Sequence, residues 1–525
     1  MLRVTERNRP WWTLAGSCVG LFVLMLDSTV VVLALPSIQQ DLDASNTALA
    51  WVQNGYLLAI SVLVVTVGRL GDMFGRKRIF NWSLAVFALG SAIAALSQTE
   101  GVLVAARIVQ GMGGAGLIAL SLALACSAFP AERQNTAVGI WAGVSSLALA
   151  IGPVAGGALI GAASWRWIFW VNLPIIAIGS LILRAARESR DESSARHLDT
   201  PGLAVLSLGL TAIVLALIES STWGWGSTKT LTLLGAGFAL LFVFWLVEHR
   251  VAQPIVDFTL FRNRPYLAAT AAGFTLVGCY WSVMFFQPQY LQDVLDYSPV
   301  ETGLLILPIT APMLALSPLT GRFMVRLGAR GLLTLSMLAA TAGLLLLTRL
   351  GADSSYGVLL PGFLLFGISL GLGYAAMSSV AMASMPREKA GIAAGVLAMN
   401  RVMAGALGLA VTGAVFAALQ RDKLADLLAQ RAPGVRGQRG ELDGLLAGSS
   451  AARRTLHQES HGVFERVEAV FRETFAYALA NATWILVGLA AAGAVVSWLL
   501  VQSAADSTPA EHKPEHRLGH RRFHF

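Results

Sequence analysis

The 525-residue sequence has few charged residues, and this scarcity narrows what the protein can be. Charged residues make up 13% of the chain and hydrophobic residues 55%, whereas soluble domains carry roughly 25% charge. Mean hydropathy is +0.65. Because so few charges could not cover a soluble core of this size, the composition predicts an integral membrane protein.

Cysteine and enzyme motifs are also scarce. The three cysteines, Cys18, Cys126 and Cys279, all lie in apolar segments, so we expect neither a disulfide framework nor a metal site. The sequence contains no phosphate-binding loop of the Gly-x4-Gly-Lys-Ser/Thr type. We therefore predict no enzyme activity, no cofactor and an energy source other than ATP.

The formal net charge of +8 is not arranged as a nucleic-acid surface. Most of the excess Lys and Arg lies in short loops between apolar segments, and no basic face with interleaved aromatics remains. Loops rich in Lys and Arg stay in the cytoplasm. We therefore expect no nucleic-acid partner and use these loops to orient the chain.

We predict fourteen membrane spans, each near the ~20 residues that a helix needs to cross a bilayer. The even number, with the basic loops inside, puts both termini in the cytoplasm. Glu219 and Glu248 lie near span ends, where we expect them to be solvated. The spans are roughly 13–35, 49–67, 79–97, 101–127, 136–160, 168–186, 201–219, 229–248, 266–290, 301–320, 331–349, 357–384, 390–419 and 475–501.

The most informative stretch is Gly68–Arg78, a short polar segment between two apolar spans. It resembles the signature loop between the second and third helices of the major facilitator superfamily of transporters. The resemblance implies a conformational latch at the cytoplasmic face, where charged pairs hold one state closed. The residues of this latch loop are Gly68, Asp72, Gly75, Arg76 and Lys77.

Two further motifs suggest coupling to protons. Asp27, in the segment Leu26–Pro36, resembles the first-helix motif of the fourteen-helix drug:proton antiporter family, with Val32 where that family has Asn. Arg107, in Leu103-x-x-x-Arg107-x-x-Gln110-Gly111, resembles the fourth-helix motif of proton-coupled members. Helical rise puts Asp27 roughly 13 Å and Arg107 roughly 9 Å from the outer ends of their helices. The two can therefore pair, for proton coupling or as a purely structural ion pair.

The fifth span contains Gly152, Pro153, Gly156 and Gly157, which resemble the antiporter signature of exporters; Ala148 replaces a usual Gly. Small residues let helices approach closely. A generic packing face is the alternative interpretation.

These resemblances imply an all-α major facilitator fold with fourteen helices. We expect a six-helix bundle at 1–198, two linker helices at 199–262 and a second six-helix bundle at 263–525. The second bundle would carry a long outer loop at 421–474 and a disordered cytoplasmic tail at 503–525. Gly321–Gly328 repeats the pattern of the latch loop, with Val325 in place of Asp72, as parallel internal repeats require.

The predicted function is proton-coupled export of drugs or other amphipathic small molecules by a monomer in the inner membrane, in contact with lipid. A proton-coupled nutrient importer and a dedicated exporter of one antibiotic, lipid or siderophore remain open. So does a membrane protein whose outer loop binds a partner. Because Asp27 is the only deep carboxylate that we find in the transport path, we expect one proton per cycle and neutral or monovalent cationic substrates.

Aromatic, Met and amide side chains at mid-membrane are the candidates for the substrate cavity, since they suit bulky apolar or cationic ligands. They are Asn54, Tyr56, Tyr280, Trp281, Phe285, Phe286, Tyr374, Met377, Met399 and Asn400.

Overall fold

A computed structural model describes residues 5–189, 200–251, 256, 258–385, 390–431 and 461–501. Within this part of the chain all regular structure is helical, which confirms the predicted all-α class. Twelve helical segments are long and apolar enough to cross a membrane, as expected of a multi-pass membrane protein.

The helices are numbered in chain order, and the first nine run through the predicted linker pair. They are α1 (Arg9–Leu42), α2 (Asn46–Phe74), α3 (Arg76–Ala95), α4 (Glu100–Ser127), α5 (Ala131–Ala162), α6 (Trp167–Trp170), α7 (Asn172–Leu183), α8 (Thr200–Trp223) and α9 (Thr228–Glu248). The later helices are α10 (Arg264–Gln289), α11 (Pro299–Leu305), α12 (Leu307–Leu316), α13 (Thr320–Leu347), α14 (Tyr356–Ala383), α15 (Ala390–Arg431) and α16 (His461–Leu500).

Several helices begin where polar side chains cap their free backbone amides. The Ser45 hydroxyl accepts from the amide of Ala48 at the start of α2, and Ser298 with Glu301 forms a capping box at the start of α11. Each cap accepts a hydrogen bond from a backbone amide in the first turn, which has no acceptor inside the helix. The sequence therefore encodes these ends locally.

The predicted count of fourteen spans stays a prediction, because twelve segments meet the criterion of length and apolarity. Two features support the larger number. Trp167–Leu183 is a shorter apolar helix, and Pro299–Leu347 is a single stretch of 49 residues. At 1.5 Å per residue that stretch would measure roughly 73 Å, more than twice a hydrocarbon core of ~30 Å. Gly328, with φ of 70°, breaks its helical backbone.

The polar segment Gly68–Arg78 is almost entirely helical, which corrects its interpretation as a loop. α2 continues to Phe74 and α3 begins at Arg76, so the turn is confined to Gly75. Gly75 has φ of 109°, a backbone conformation that residues with a Cβ rarely adopt. Gly328 occupies the same position in the repeat Gly321–Gly328 and also has positive φ. The repeat seen in the sequence is therefore a repeat of backbone geometry.

Helix packing puts α1 against α4, α5 and α7, and α3 against α4. Later in the chain, α10 packs against α14, α15 and α16, and α13 packs against α14 and α16. α9 packs mainly on α8, and α8 in turn contacts α2 and α15. The division of the chain into two bundles and a linker pair remains an expectation.

Some predicted features fall outside the described residues. These are 190–199, where the predicted first bundle joins the linker helices, 432–460 of the predicted outer loop, and the tail from 502 onward. The described parts of that predicted loop are helical, since α15 extends to Arg431 and α16 begins at His461.

Glu248 corrects a second expectation, because it is buried rather than solvated. Its side chain keeps 4% of its surface exposed and accepts a hydrogen bond from the amide of Val256 at 3.0 Å. This contact with Val256 is tertiary, and the position of Glu248 near a span end does not reveal it. Glu219 is half-buried and accepts from Trp51 Nε1 of α2 at 3.3 Å.

Candidate functional site

The predicted Asp27–Arg107 pair exists and is fully enclosed. Arg107 Nη1 of α4 lies 2.6 Å from Asp27 Oδ2 of α1, and neither side chain is exposed. Removing two charges from water costs several kcal/mol per ion, so such a pair persists only when its remaining donors and acceptors are also matched. The surroundings of the pair therefore decide what it can do.

Two amides donate to Asp27, and a hydroxyl accepts from both of these amides. Gln110 Nε2 and Asn172 Nδ2 both donate to Asp27 Oδ1 at 2.8 Å, and Gln110 Oε1 accepts from Arg107 Nη1 at 2.5 Å. Both amides also donate to Ser91 Oγ of α3. Four helices, α1, α3, α4 and α7, thus converge on one carboxylate, with all five residues buried.

On its other side Arg107 is held by α2. Its Nε donates to the carbonyl of Val52 at 3.1 Å, and its guanidinium lies 4.0 Å from the centre of the Tyr56 ring. Tyr56 Oη in turn pairs with Ser28 Oγ at 3.0 Å. Tyr56 was predicted as a cavity residue; the structure places it beneath the ion pair. Arg107 Nη2 is buried and has no partner among the residues that the structure describes, so the shell has one unused donor.

Sequence reasoning did not assign Gln110, Asn172 and Ser91 to the site. Gln110 lies one turn from Arg107 at i+3, a spacing that puts both on one helix face. Asn172 has no partner that the sequence reveals. Ser91 gives no signal at all, because its approach depends on how closely α3 and α4 pack.

Glycines of α5 form a seam against α1, directly beside Asp27. A Cβ on Gly152 would overlap the Thr29 hydroxyl, and one on Gly156 would press on Val30. Thr29 and Val30 follow Asp27 by two and three residues, so α5 packs on the turn of α1 that comes directly after the carboxylate. The antiporter motif therefore contacts the ion-pair helix.

The same helix also meets the later half of the chain. A Cβ on Gly157 would lie 2.5 Å from the carbonyl oxygen of Pro299, at the start of α11. One on Gly303 would overlap the carbonyl oxygen of Pro153. Backbone therefore touches backbone where α5 ends and α11 begins, at the end of the molecule opposite the Gly75 turn.

The latch loop binds the segment that follows α7. Arg76 Nε pairs with Asp72 Oδ1 at 2.8 Å, both partly exposed. The Glu188 carboxylate accepts from the amides of Lys77 and Arg78 at 2.8 and 3.1 Å, so it caps the positive end of α3. Of the other latch residues, Gly68 faces Ala119 of α4.

Most of the later cavity candidates gather where α10, α14 and α15 meet. A Cβ on Gly273 of α10 would lie near Met377 Sδ, and Trp281 fits against Gly405. Asn400 Nδ2 donates to the carbonyl of Thr270. These contacts show that Met377, Trp281 and Asn400 pack between α10, α14 and α15.

The other candidates divide into packed aromatics and unpartnered polar groups. Phe286 meets the ring of Phe285 edge to face and lies tilted against the ring of Phe416 of α15. Met399 is buried. Asn54 of α2 and Tyr280 of α10 are also buried, with their amide atoms and hydroxyl lacking a partner. Such groups are costly unless water or a ligand satisfies them.

Among the described residues, no cluster of three or more His, Cys, Asp or Glu side chains is placed to hold a metal ion.

Comparisons with known proteins agree on one family. The sequence pattern of the Major Facilitator Superfamily matches residues 17–409. The chain is 36% identical to the tetracenomycin C resistance and export protein of Streptomyces glaucescens, over 81% of this chain and 79% of that protein. It is 36% identical to the puromycin resistance protein pur8 of Streptomyces alboniger, over 80% of this chain and 84% of that protein.

A solved structure has the same fold. It is a bacterial homolog to the human lysosomal transporter Spinster, with a TM-score of 0.64 over 93% of this chain and 97% of that one. At 14% sequence identity this likeness concerns the fold alone.

Proposed function

The chain belongs to the major facilitator superfamily, and from that premise we propose that it is a proton-coupled exporter of amphipathic small molecules. Two of its relatives are named for antibiotic resistance, one of them also for export. The protein would lie in the cell's inner membrane with both termini in the cytoplasm, and the proton gradient would replace any cofactor. The end with the Gly75 turn would then be cytoplasmic, because it carries Arg76, Lys77 and Arg78.

The observation that carries the proposal is the enclosed pair of Asp27 and Arg107, with the hydrogen bonds from Gln110 and Asn172. When Asp27 is charged, its burial is tolerable because these groups match the charge. When Asp27 is protonated, it is neutral and needs less matching. The two protonation states therefore have similar free energies only if the neighbouring groups rearrange. Protonation would remove the charge that holds Arg107, so the guanidinium would favour other partners. Its unused Nη2 donor provides one such opportunity.

The glycine seam supports a link between that event and alternating access. α5 contacts α1 through Gly152 and Gly156 and contacts α11 through Gly157. A change at Asp27 could therefore reach the contact between the two halves through one rigid helix. Rocking of the two halves about a midplane site is how such repeats expose it to each side in turn. The α8–α9 pair, peripheral to these contacts, would stand outside the transport path.

The latch loop gives a second element that can take two arrangements. Glu188 holds the start of α3 while Asp72 holds Arg76. Because the Asp72–Arg76 pair is partly exposed, it contributes little to stability by itself. Its proposed role is to favour one state of the cytoplasmic face over the other.

The test is drug-induced proton movement in everted membrane vesicles, comparing the parent with Asp27→Asn. We expect the variant to insert normally and to lose proton-coupled export, since Asn has a similar shape and cannot carry the proton. The matched control is Asp41→Asn, which removes an exposed paired carboxylate from the same helix and should retain export. An undiminished signal in Asp27→Asn would refute the assignment. Substrate loss from everted vesicles, instead of accumulation, would favour an importer.

A further inference from the structure

A second guanidinium lies inside the helical bundle, and it lacks a carboxylate. Arg401 of α15 is eleven residues from Ala390, which puts it roughly 16 Å from the start of that helix. Its Nη2 donates to Ser378 Oγ, and its guanidinium lies 4.7 Å from the centre of the Tyr374 ring. Among the described residues it forms no ion pair, and its Nε has no partner.

The contrast with Arg107 makes this charge unusual. Arg107 is neutralised by Asp27 and completely buried, whereas Arg401 keeps part of its surface accessible between the buried side chains of Asn400 and Val402. A charged side chain at this depth is expensive against lipid, so it faces the bundle interior or a hydrated cavity. The interior of the described bundle therefore carries an uncompensated positive charge.

Further unpartnered donors and aromatic surface lie nearby. Arg401 Cγ and Met377 Sδ both lie within 4.0 Å of a Cβ built on Gly273. Tyr280 follows Gly273 by seven residues, hence two turns along the same face of α10. Its hydroxyl is buried without a partner. One polar, aromatic region thus connects α10, α14 and α15.

We propose that Arg401, with Tyr374, Ser378 and Tyr280, forms an oxyanion subsite, so that the preferred substrate is an aromatic molecule bearing a carboxylate or a similarly charged oxygen. The inference rests on the proposed export function and specifies its substrate class. This proposal replaces the expectation of cationic substrates. That expectation treated Asp27 as a free negative charge, whereas Arg107 neutralises it. A guanidinium presents several donors in a plane that fits a carboxylate, and the Tyr374 ring holds that plane.

The alternative role of Arg401 is structural, as a tie between α14 and α15 through Ser378. Equilibrium binding to the purified protein in lipid nanodiscs separates the two roles. The probes share one fluorescent ring: anthracene-9-carboxylate, anthracene-9-carboxamide and 9-(aminomethyl)anthracene, which are anionic, neutral and cationic at pH 8. We expect the carboxylate to bind about tenfold more tightly than the carboxamide, a difference of ~1.4 kcal/mol, because of the two only the carboxylate is charged, and the amine to bind least.

Substitutions show which residue causes the preference for the carboxylate over the carboxamide. Arg401→Met should bring carboxylate and carboxamide to equal affinity, and Arg401→Lys should keep part of the difference because it keeps the charge. Arg330→Met is the matched control, since Arg330 also covers an aromatic ring, that of Trp498, at 3.9 Å; it should leave the preference intact. If Arg401→Met does not fold, Tyr280→Phe should still reduce the preference severalfold.

The proposal is overturned if the parent binds the carboxylate no more tightly than the carboxamide, or binds none of the three probes. An unchanged preference in Arg401→Met would overturn it equally. Because binding is measured without a proton gradient, these outcomes are separate from failure of proton-coupled export in the Asp27→Asn test.

Discussion

At the residue scale, Asp27 depends on neighbours that have no charge. Asn172 donates to Asp27 Oδ1 and to Ser91 Oγ, so it connects α7 to both α1 and α3. A buried carboxylate that loses one donor keeps its Coulomb attraction to Arg107 but loses part of the matching that makes its burial tolerable. The amides are therefore as much part of the ion-pair site as the two charges.

Asn172→Leu tests this dependence. The leucine has similar volume and no donor, so a carboxylate oxygen is left short of one hydrogen bond at a cost of about 1–3 kcal/mol. We expect a lower unfolding temperature in detergent and weaker drug-induced proton movement. Asn481→Leu is the control, because Asn481 is half-buried and donates to the carbonyl of Tyr477 one turn earlier on its own helix. Equal behaviour of the two variants would show that Asn172 does not support Asp27.

The sequence predicts the charged members of this site and not the neutral ones. Asp27 and Arg107 are rare in apolar spans, so depth and motif together suggest the pair. Ser91 is a common type of residue in a membrane helix, and only the close approach of α3 to α4 brings it to Gln110. That approach occurs where Gly90 faces the Gln110 backbone, a fact of tertiary packing.

At the scale of elements, α5 connects the ion-pair helix and the opposite half. Small residues on both of its faces make this possible: Gly152 and Gly156 toward α1, and Gly157 toward α11. The sequence identified these positions but left open whether they form a generic packing face. The structure shows two faces with different partners, which a generic face would not require.

Two separate Gly-to-Ala variants of α5 distinguish a specific contact with α11 from a generic packing face. Gly157→Ala would place a Cβ against the Pro299 backbone, which cannot move aside as a flexible side chain can. We expect transport to fall severalfold with insertion unchanged, measured as substrate accumulation in everted vesicles. Gly143→Ala, on the same helix with open space around it, should transport like the parent. Normal export by Gly157→Ala would mean that closure at this contact is not needed.

At the scale of the whole molecule, helix ends were harder to predict than helix positions. Each predicted span overlaps a described helix, although twelve segments meet the criterion of length and apolarity. The ends differ more, since α2 runs through most of the latch loop and α15 runs to Arg431. Hydropathy marks only the part of a helix that lies in the membrane, and a helix can continue into water when caps and tertiary contacts support it. At Gly75 the helix ends with φ of 109°, a backbone conformation that glycine adopts more readily than other residues.

The two halves touch at the end opposite the Gly75 turn. Gln292 Nε2, just after α10, donates to the carbonyl of Leu33 in α1 at 3.1 Å. A Cβ on Gly161 would lie 2.7 Å from Cγ2 of Val300. With the proposed orientation, this is the outer end, and the structure represents a state closed to the outside. Alternating access requires these contacts to separate in every cycle.

A reversible cross-link tests that requirement. In a background with Cys18, Cys126 and Cys279 replaced, Gly161→Cys and Val300→Cys together bring two sulfurs within disulfide reach, since Cβ atoms ~3.5–4.5 Å apart suit the bond. We expect oxidation to stop export and reductant to restore it, while either cysteine alone has no such response. The cross-linked protein should still bind ligand from the cytoplasmic side, because only the outer end is held. Undiminished export by the fully oxidised pair would mean that the two halves need not separate here, and transport would then have to follow a path that leaves the contact of α5 with α11 intact.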